Sequence, residues 1–338
     1  MKHVLLDKNE NLFEPSPLCF SVFNEFDVRK FSHYPRKSEL FDRLMKKYNV
    51  EKDNLIIGYG AEDVLKNLFS LLIKEKDSVC TPKVSWHYYD FLAKNIGAKV
   101  HHFDLIEKDF SFEYNVNEII SSVQKNSPKL LVVGSPNNPT GNSMSLDDLE
   151  KILSSINPKS IVLFDNVYSD FYEEIDYDRL LSFIKKYENL IILKSISKSY
   201  CLAGLRFGYA LCSQQVRKLI HYFDYYLGIN PLIEEMVIAA LSSDRYYKSV
   251  AQESRVVRDE FISKVNNLHS FKAFSSNANF VLVKLPVNTS EIIDKALKNN
   301  GFIVRFFPNL KNHCRITIGT REQMNEVFEV FSKLDSIL

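Results

Sequence analysis

Short apolar runs alternate with longer amphipathic stretches through the middle of the chain. Runs at 55–57, 78–80, 100–103, 130–133, 161–164, 190–193 and 209–212 are mostly continuous in Val, Ile, Leu and Phe. That is the pattern of strands covered on both faces. Between several of them lies a helical period. Over 62–73, Val64, Leu65, Leu68, Leu71 and Leu72 share one face, and 146–156 has the same character. Strands alternating with helices predict an α/β fold, a mostly parallel sheet with helices on both faces. In such sheets ligands sit beyond the carboxyl ends of the strands.

Beyond about residue 230 the pattern changes. Helices are predicted over 231–242 and 249–268, a strand over 279–284, a helix over 290–298 ended by Gly301, and a strand over 315–318. A last helix carries Met324, Val327, Phe331 and Leu334 on one face. This is a small α+β unit. The N-terminal stretch to Pro17 is too short to fold alone and is expected to pack on it. The expected division is a large α/β domain at 31–230 and a small α+β domain from 1–30 and 231–338.

The composition narrows the function classes. A length of 338 residues suits two domains, and 45% apolar with 25% charged residues excludes a disordered chain. Lys+Arg of 43 against Asp+Glu of 42 leaves a net charge of +1, with no basic excess for nucleic acid. No apolar run approaches the roughly 18 residues of a membrane span. The opening MKHVLLDKNENLF has no apolar signal core, so a cytoplasmic protein is expected. Cys19, Cys80, Cys201, Cys212 and Cys314 are odd in number and widely scattered, which argues against a disulfide framework or a metal site.

The candidate chemistry lies just past the ends of the middle strands. After 130–133 comes Gly134-Ser-Pro-Asn-Asn-Pro-Thr-Gly141, either a tight strand-to-helix turn or a rigid loop that aims an asparagine at a ligand. Asp165, after 161–164, is either a helix cap or an ion-pair partner for a cation. After 190–193 comes Lys194-Ser-Ile-Ser-Lys198, and Arg206 follows between Leu205 and Phe207. Ser195, Ser197 and Arg206 make a phosphate cradle of two hydroxyls and a guanidinium fork. Lys198 beside it is placed to bond covalently to an aldehyde on the same ligand. Gly58-Tyr-Gly-Ala-Glu62 opens a predicted helix; it is either a common glycine turn or a second phosphate contact.

Together these residues resemble the fold-type I pyridoxal-phosphate aminotransferases: Ser135-Pro-Asn-Asn-Pro-Thr-Gly141, Asp165-x-x-Tyr168, Ser195-x-Ser-Lys198 and Arg206 agree in order and spacing. Asn9-Glu-Asn11, Pro15-Ser-Pro17, Tyr34-Pro35, Ala203-Gly-Leu-Arg206 and Cys314-Arg-Ile-Thr-Ile-Gly-Thr-Arg321 are similar to the histidinol-phosphate aminotransferase branch. The resemblance implies pyridoxal 5'-phosphate as cofactor. Lys198 would carry it, Asp165 would pair with its ring nitrogen, and Asn138 and Tyr168 would bond its 3'-oxygen. Gly60, Ala61, Ser195, Ser197 and Arg206 would hold its phosphate, with Tyr34 from the other subunit of a homodimer. Trp86 would stack on the ring. Arg315 would bind the substrate's anion, with Arg305 and Asn138 also at the substrate.

The chain departs from the family's pattern at Val84, Phe13, Phe306 and a short loop over 307–313, all on the substrate side. The implied reaction moves an amino group between a small amino compound, first guess histidinol phosphate, and a 2-oxo acid such as 2-oxoglutarate. The alternatives are an amino-acid-phosphate decarboxylase of the same branch and a non-catalytic binder of the cofactor.

Overall fold

The computed structural model describes residues 3–35, 38–172, 175–220 and 228–337. Its central sheet runs in the order Leu55–Gly58, Gly208–Cys212, Leu190–Ser195, Ile161–Asp165, Leu130–Gly134, Ser78–Pro82, Lys99–Phe103. Each of these strands contains one of the predicted apolar runs. Pairing is parallel from Leu190–Ser195 out to Lys99–Phe103. Gly208–Cys212 is antiparallel to both neighbours. The connection over 196–207 that precedes it carries only the single helical turn Ala203–Leu205, not the crossover helix that usually joins parallel neighbours.

The sheet is buried on both faces. Val133, Phe164, Ile192 and Tyr209 pack on one side with Leu149, Ile152, Leu180 and Phe183. Val132, Leu163, Leu193 and Ala210 pack on the other with Leu65 and Leu68 of helix Ala61–Leu72. Each such Leu or Ile brings roughly 1.5–3 kcal/mol of transfer free energy. Helices Pro17–Glu25 and Pro231–Leu241 contact each other and place Cys19 and Val237 in the first of these cores.

A second sheet has the order Val4–Leu6, Phe302–Phe307, Leu310–Thr317, Phe280–Lys284, Lys272–Ala273. Helices Asp244–Asn266, Ser290–Asn299 and Arg321–Asp335 cover it, with Phe261, Leu297 and Phe331 against Val281, Val283 and Ile316. The N-terminal stretch joins this unit as an edge strand, Val4 opposite Phe302 in parallel register.

Three local readings change. The segment over 307–313 is not a loop: Phe302–Phe307 and Leu310–Thr317 form a hairpin, with a register shift at Phe306/Phe307. The helix expected from residue 249 starts at Asp244, because Tyr247 continues the buried stripe of Val250 and Ala251. A small hairpin of Leu105–Glu107 and Phe112–Tyr114, too short for a periodic signal, stands beside the second sheet through Phe112 on Phe274.

Candidate active site

The carboxyl ends of the central strands open into a cavity of ≈ 880 Å³ whose far wall is the second sheet. The loops that follow these strands supply one wall. Asn137 braces the first of them: its Nδ2 donates to the Val84 carbonyl at 2.9 Å and to Thr140 Oγ1 at 2.6 Å, and its Oδ1 accepts from Ser85 at 2.7 Å. Gly141 turns that loop at φ +78°, where a Cβ would lie 2.4 Å from Ser276 Oγ. Asn138 is thereby left facing the cavity.

Asp165 ends its strand almost fully buried. Its Oδ2 accepts from Tyr89 OH at 2.5 Å and its Oδ1 from the Val167 N–H at 3.2 Å. It therefore caps the turn and also faces the cavity. Burial pushes its pKa up to about 6, against the pull of the Tyr89 hydrogen bond. Among the described residues no cation pairs with it, so its charge is available to a cationic ligand.

Lys198 follows the next strand. Its Nζ donates to the Lys8 carbonyl at 2.8 Å and stands 5.8 Å over the Tyr168 ring. Burial and then the Arg315 charge bring its pKa down to about 8. Ser195 and Ser197 line the same wall, with the Ser197 N–H donating to Ser195 Oγ at 3.1 Å. Arg206 closes the turn at φ +58° and is half-exposed. Gly60, at φ +92°, lies against it, and a Cβ there would come within 2.7 Å of Arg206 Nη2. Ala61 starts the helix beside them. Two hydroxyls, a guanidinium, a helix N-terminus and a glycine that leaves room form one concavity, which fits a phosphate group. Trp86 lines the cavity, edge-on to Tyr89 at 5.5 Å.

The opposite wall carries the two arginines. Arg305 and Arg315 are register partners on neighbouring antiparallel strands. Arg315 is buried: Nη1 donates to Asn138 Oδ1 at 2.6 Å, Nη2 donates to the Asp7 carbonyl, and Nε has no partner among the described residues. Burial brings its pKa down to about 10, and Arg305 pushes the same way. Arg305 is exposed at the cavity's edge. Tyr34 does not line the cavity of its own chain and is 72% exposed.

Sequence reasoning missed three parts of this site. Tyr89 bonds Asp165 from the first turn of helix Tyr88–Asn95; its spacing three residues after Trp86 was the available signal. The stretch Asp7–Glu10 crosses the cavity mouth and puts backbone carbonyls on Lys198 and Arg315, and carbonyls carry no residue-type signal. Behind the Lys198 loop, buried Lys194 donates to Ser169 Oγ, Tyr177 OH and Asp170 Oδ1 at 2.8, 3.0 and 3.2 Å, while Asp170 Oδ2 accepts from Ser199.

Comparison with known proteins agrees across the chain. A family model described as aminotransferase class I and II matches residues 2–331. A histidinol-phosphate aminotransferase 2 of Archaeoglobus fulgidus is 32% identical over 336 residues, covering 98% of this chain and 93% of that protein. A histidinol-phosphate aminotransferase of Ruminiclostridium cellulolyticum is 30% identical over 327 residues, covering 95% and 89%. The crystal structure of histidinol-phosphate aminotransferase from Sinorhizobium meliloti in complex with pyridoxal-5'-phosphate superposes with a TM-score of 0.86 at 19% identity, covering 98% of this chain and 92% of that one.

Proposed function

The chain belongs to the class I and II aminotransferases, and on that premise we propose that it moves an amino group from histidinol phosphate, or a close phosphate-bearing relative, to 2-oxoglutarate. The observation that carries this reading is the pairing of Arg305 with Arg315 across one cavity from Lys198. Two guanidinium groups opposite a lysine suit a substrate that presents an anion beyond its amino carbon. The curated relatives at 30% and 32% identity bear the same substrate's name.

Pyridoxal 5'-phosphate is the cofactor the cavity wall fits. Lys198 would hold it covalently, and Gly60, Ala61, Ser195, Ser197 and Arg206 would hold its phosphate together with the partner's Tyr34. Asp165 would face its ring nitrogen, Asn138 and Tyr168 its 3'-oxygen, and Trp86 its ring. When bound, it supplies an electron sink for charge left on the substrate's Cα. The chain's own groups do the rest. Lys198 Nζ, released once the substrate's amino group takes over its bond, would take the proton from the substrate's Cα and pass it to the carbon that had borne the lysine; its pKa of about 8 suits this, since a base titrating near the working pH is most effective. Arg315 and Asn138 orient the substrate, and the Asp7–Glu10 stretch shields the reacting carbon from water.

We further propose a homodimer in the cytoplasm. Leu18, Phe20, Phe23, Val28, Phe31 and Tyr34 are all exposed in one short stretch, an apolar surface that suits burial against a second copy. The five cysteines are all unpaired, as in a reducing compartment. Among the described residues no helix is long and apolar enough to cross a membrane.

The test is a panel of amino donors with and without phosphate, each supplied with 2-oxoglutarate. Glutamate formation from the phosphorylated donor is expected. Carbon dioxide release without 2-oxoglutarate would mark the decarboxylase instead. Arg305→Ala is expected to raise KM at least tenfold for the phosphorylated donor, because losing a charged hydrogen bond costs about 1.5–3 kcal/mol, and to leave neutral donors nearly unchanged. Equal losses for both would remove the distal anion from the substrate.

Tyr89→Phe tests Asp165. The carboxylate must be ionised to pair with a protonated ring nitrogen, so cofactor affinity is expected to be full above pH 6 and lost as pH falls through about 6. Without the Tyr89 hydroxyl the carboxylate is harder to ionise, and the loss is expected to begin roughly one pH unit higher. Equilibrium titration of the apo-protein with cofactor across pH 5–8 reads this directly; superimposable curves would assign Tyr89 to packing alone.

A further inference from the structure

Asn9 opens the Asn9-Glu-Asn11 motif and is fully buried. It sits at φ +56°, in the left-handed region where asparagine is tolerated and bulky residues are not. Its backbone N–H donates to Thr317 Oγ1 at 3.0 Å, and its carbonyl accepts from Asn279 Nδ2 at 3.2 Å. Thr317 ends one strand of the second sheet and Asn279 immediately precedes another. The side chain reaches the other way, with Nδ2 donating to Tyr168 OH at 3.0 Å. Thr317 Oγ1 in turn donates to the Leu6 carbonyl at 2.8 Å, which ties this junction to the N-terminal edge strand. One residue thus joins both strands to the turn after Ile161–Asp165.

A phenol has one proton and accepts through its oxygen lone pairs. An amide that donates to that oxygen occupies one direction around it and leaves the O–H to point elsewhere. Tyr168 lines the cavity. We propose that Asn9 is a positioning residue which directs the Tyr168 hydroxyl into the cavity as a hydrogen-bond donor to the cofactor's 3'-oxygen, favouring the ionised form of that oxygen. The inference rests on the assignment of pyridoxal 5'-phosphate to this cavity. It gives the buried asparagine of the N-terminal motif a chemical task in addition to its hold on the second sheet.

Two substitutions isolate the amide. Asn9→Gly removes it without backbone strain, because glycine adopts a positive φ freely. Asn9→Asp keeps the shape and replaces the donor by an acceptor. Each is made in the wild-type and Tyr168→Phe backgrounds, so the comparison does not depend on one variant folding. The readouts are the absorbance of the bound cofactor titrated against pH and the cofactor retained after dialysis.

The titration midpoint is expected to rise by about one pH unit in Asn9→Gly and at least as far in Asn9→Asp. Asn9→Gly is not expected to move it when Tyr168 is phenylalanine. An unchanged midpoint in both variants, or a rise in Asn9→Gly that is equal with and without the Tyr168 hydroxyl, overturns the role of Asn9 and leaves the cofactor assignment standing. Wild-type protein that takes up no cofactor overturns that assignment, and the inference with it.

Discussion

Lys198→Ala is expected to lower kcat by roughly 10⁴-fold or more, since in the proposed function it removes at once the covalent hold on the cofactor and the base that serves the substrate's Cα. The fold is expected to survive. Among the described residues Lys198 has one hydrogen bond, to the Lys8 carbonyl at 2.8 Å, and it is a group the folded protein keeps charged only at a cost. Its pKa falls from the ordinary lysine value of 10.5 to about 8 in the folded chain. For a lysine depressed in this way the cost is absent above the unfolded pKa, builds as pH falls below it, and is complete once pH has fallen through about 8. At pH 7 the apo form of Lys198→Ala escapes this cost, so its thermal midpoint is expected to equal or exceed that of the parent. Near-normal turnover in a folded Lys198→Ala protein would remove this lysine from the chemistry.

Asp170→Ala is expected to be the most damaging single change to stability. Lys194 is only 4% exposed in its side chain and takes its counter-charge from Asp170 at 3.2 Å. Asp170 in turn is held on the ionised side by Lys194, Ser199 and Tyr177, against its own burial. Removing one partner of a buried pair strands the other charge, at about 3–5 kcal/mol. The thermal midpoint is expected to fall by roughly 5 °C. The damage is also local to the chemistry, because Ser199 adjoins Lys198 and Ser169 adjoins Tyr168. The double variant Asp170→Leu/Lys194→Met is expected to recover most of the loss, since two apolar side chains leave no charge unpaired. A midpoint in Asp170→Ala indistinguishable from the parent's would show that water reaches Lys194 and that the pair is not sealed.

The sequence carried the central sheet and the wall of the cavity built from the ends of its strands. Near-continuous apolar runs mark strands buried on both faces, and each predicted run lies in the sheet. Lys198, Asp165, Asn138 and Arg206 stand at fixed offsets past those strands, because in a parallel sheet a residue just beyond a strand end is at the crevice whatever the rest of the chain does. Short elements were less legible. Val4–Leu6 and the Leu105–Tyr114 hairpin have only three residues per strand, too few for a period to declare itself. Phe302–Phe307 carries Arg305 within an apolar run and follows a glycine that reads as a stop.

What only the tertiary structure decided is how residues distant in sequence meet. Tyr89 reaches Asp165 across 76 residues, Lys194 is sealed by Asp170 from a neighbouring turn, and Asn9 joins Thr317 to Tyr168. Local pattern records which face of an element is buried and which residue ends it, because those are set by a period of 2 or 3.6 along the chain. It does not record which side chain arrives opposite, since that depends on sheet order and on the docking of the second sheet. The charges that set Lys198 near neutrality and kept Asp165 ready for a cation arose there, in the burial and the neighbours that only the closed fold brings together.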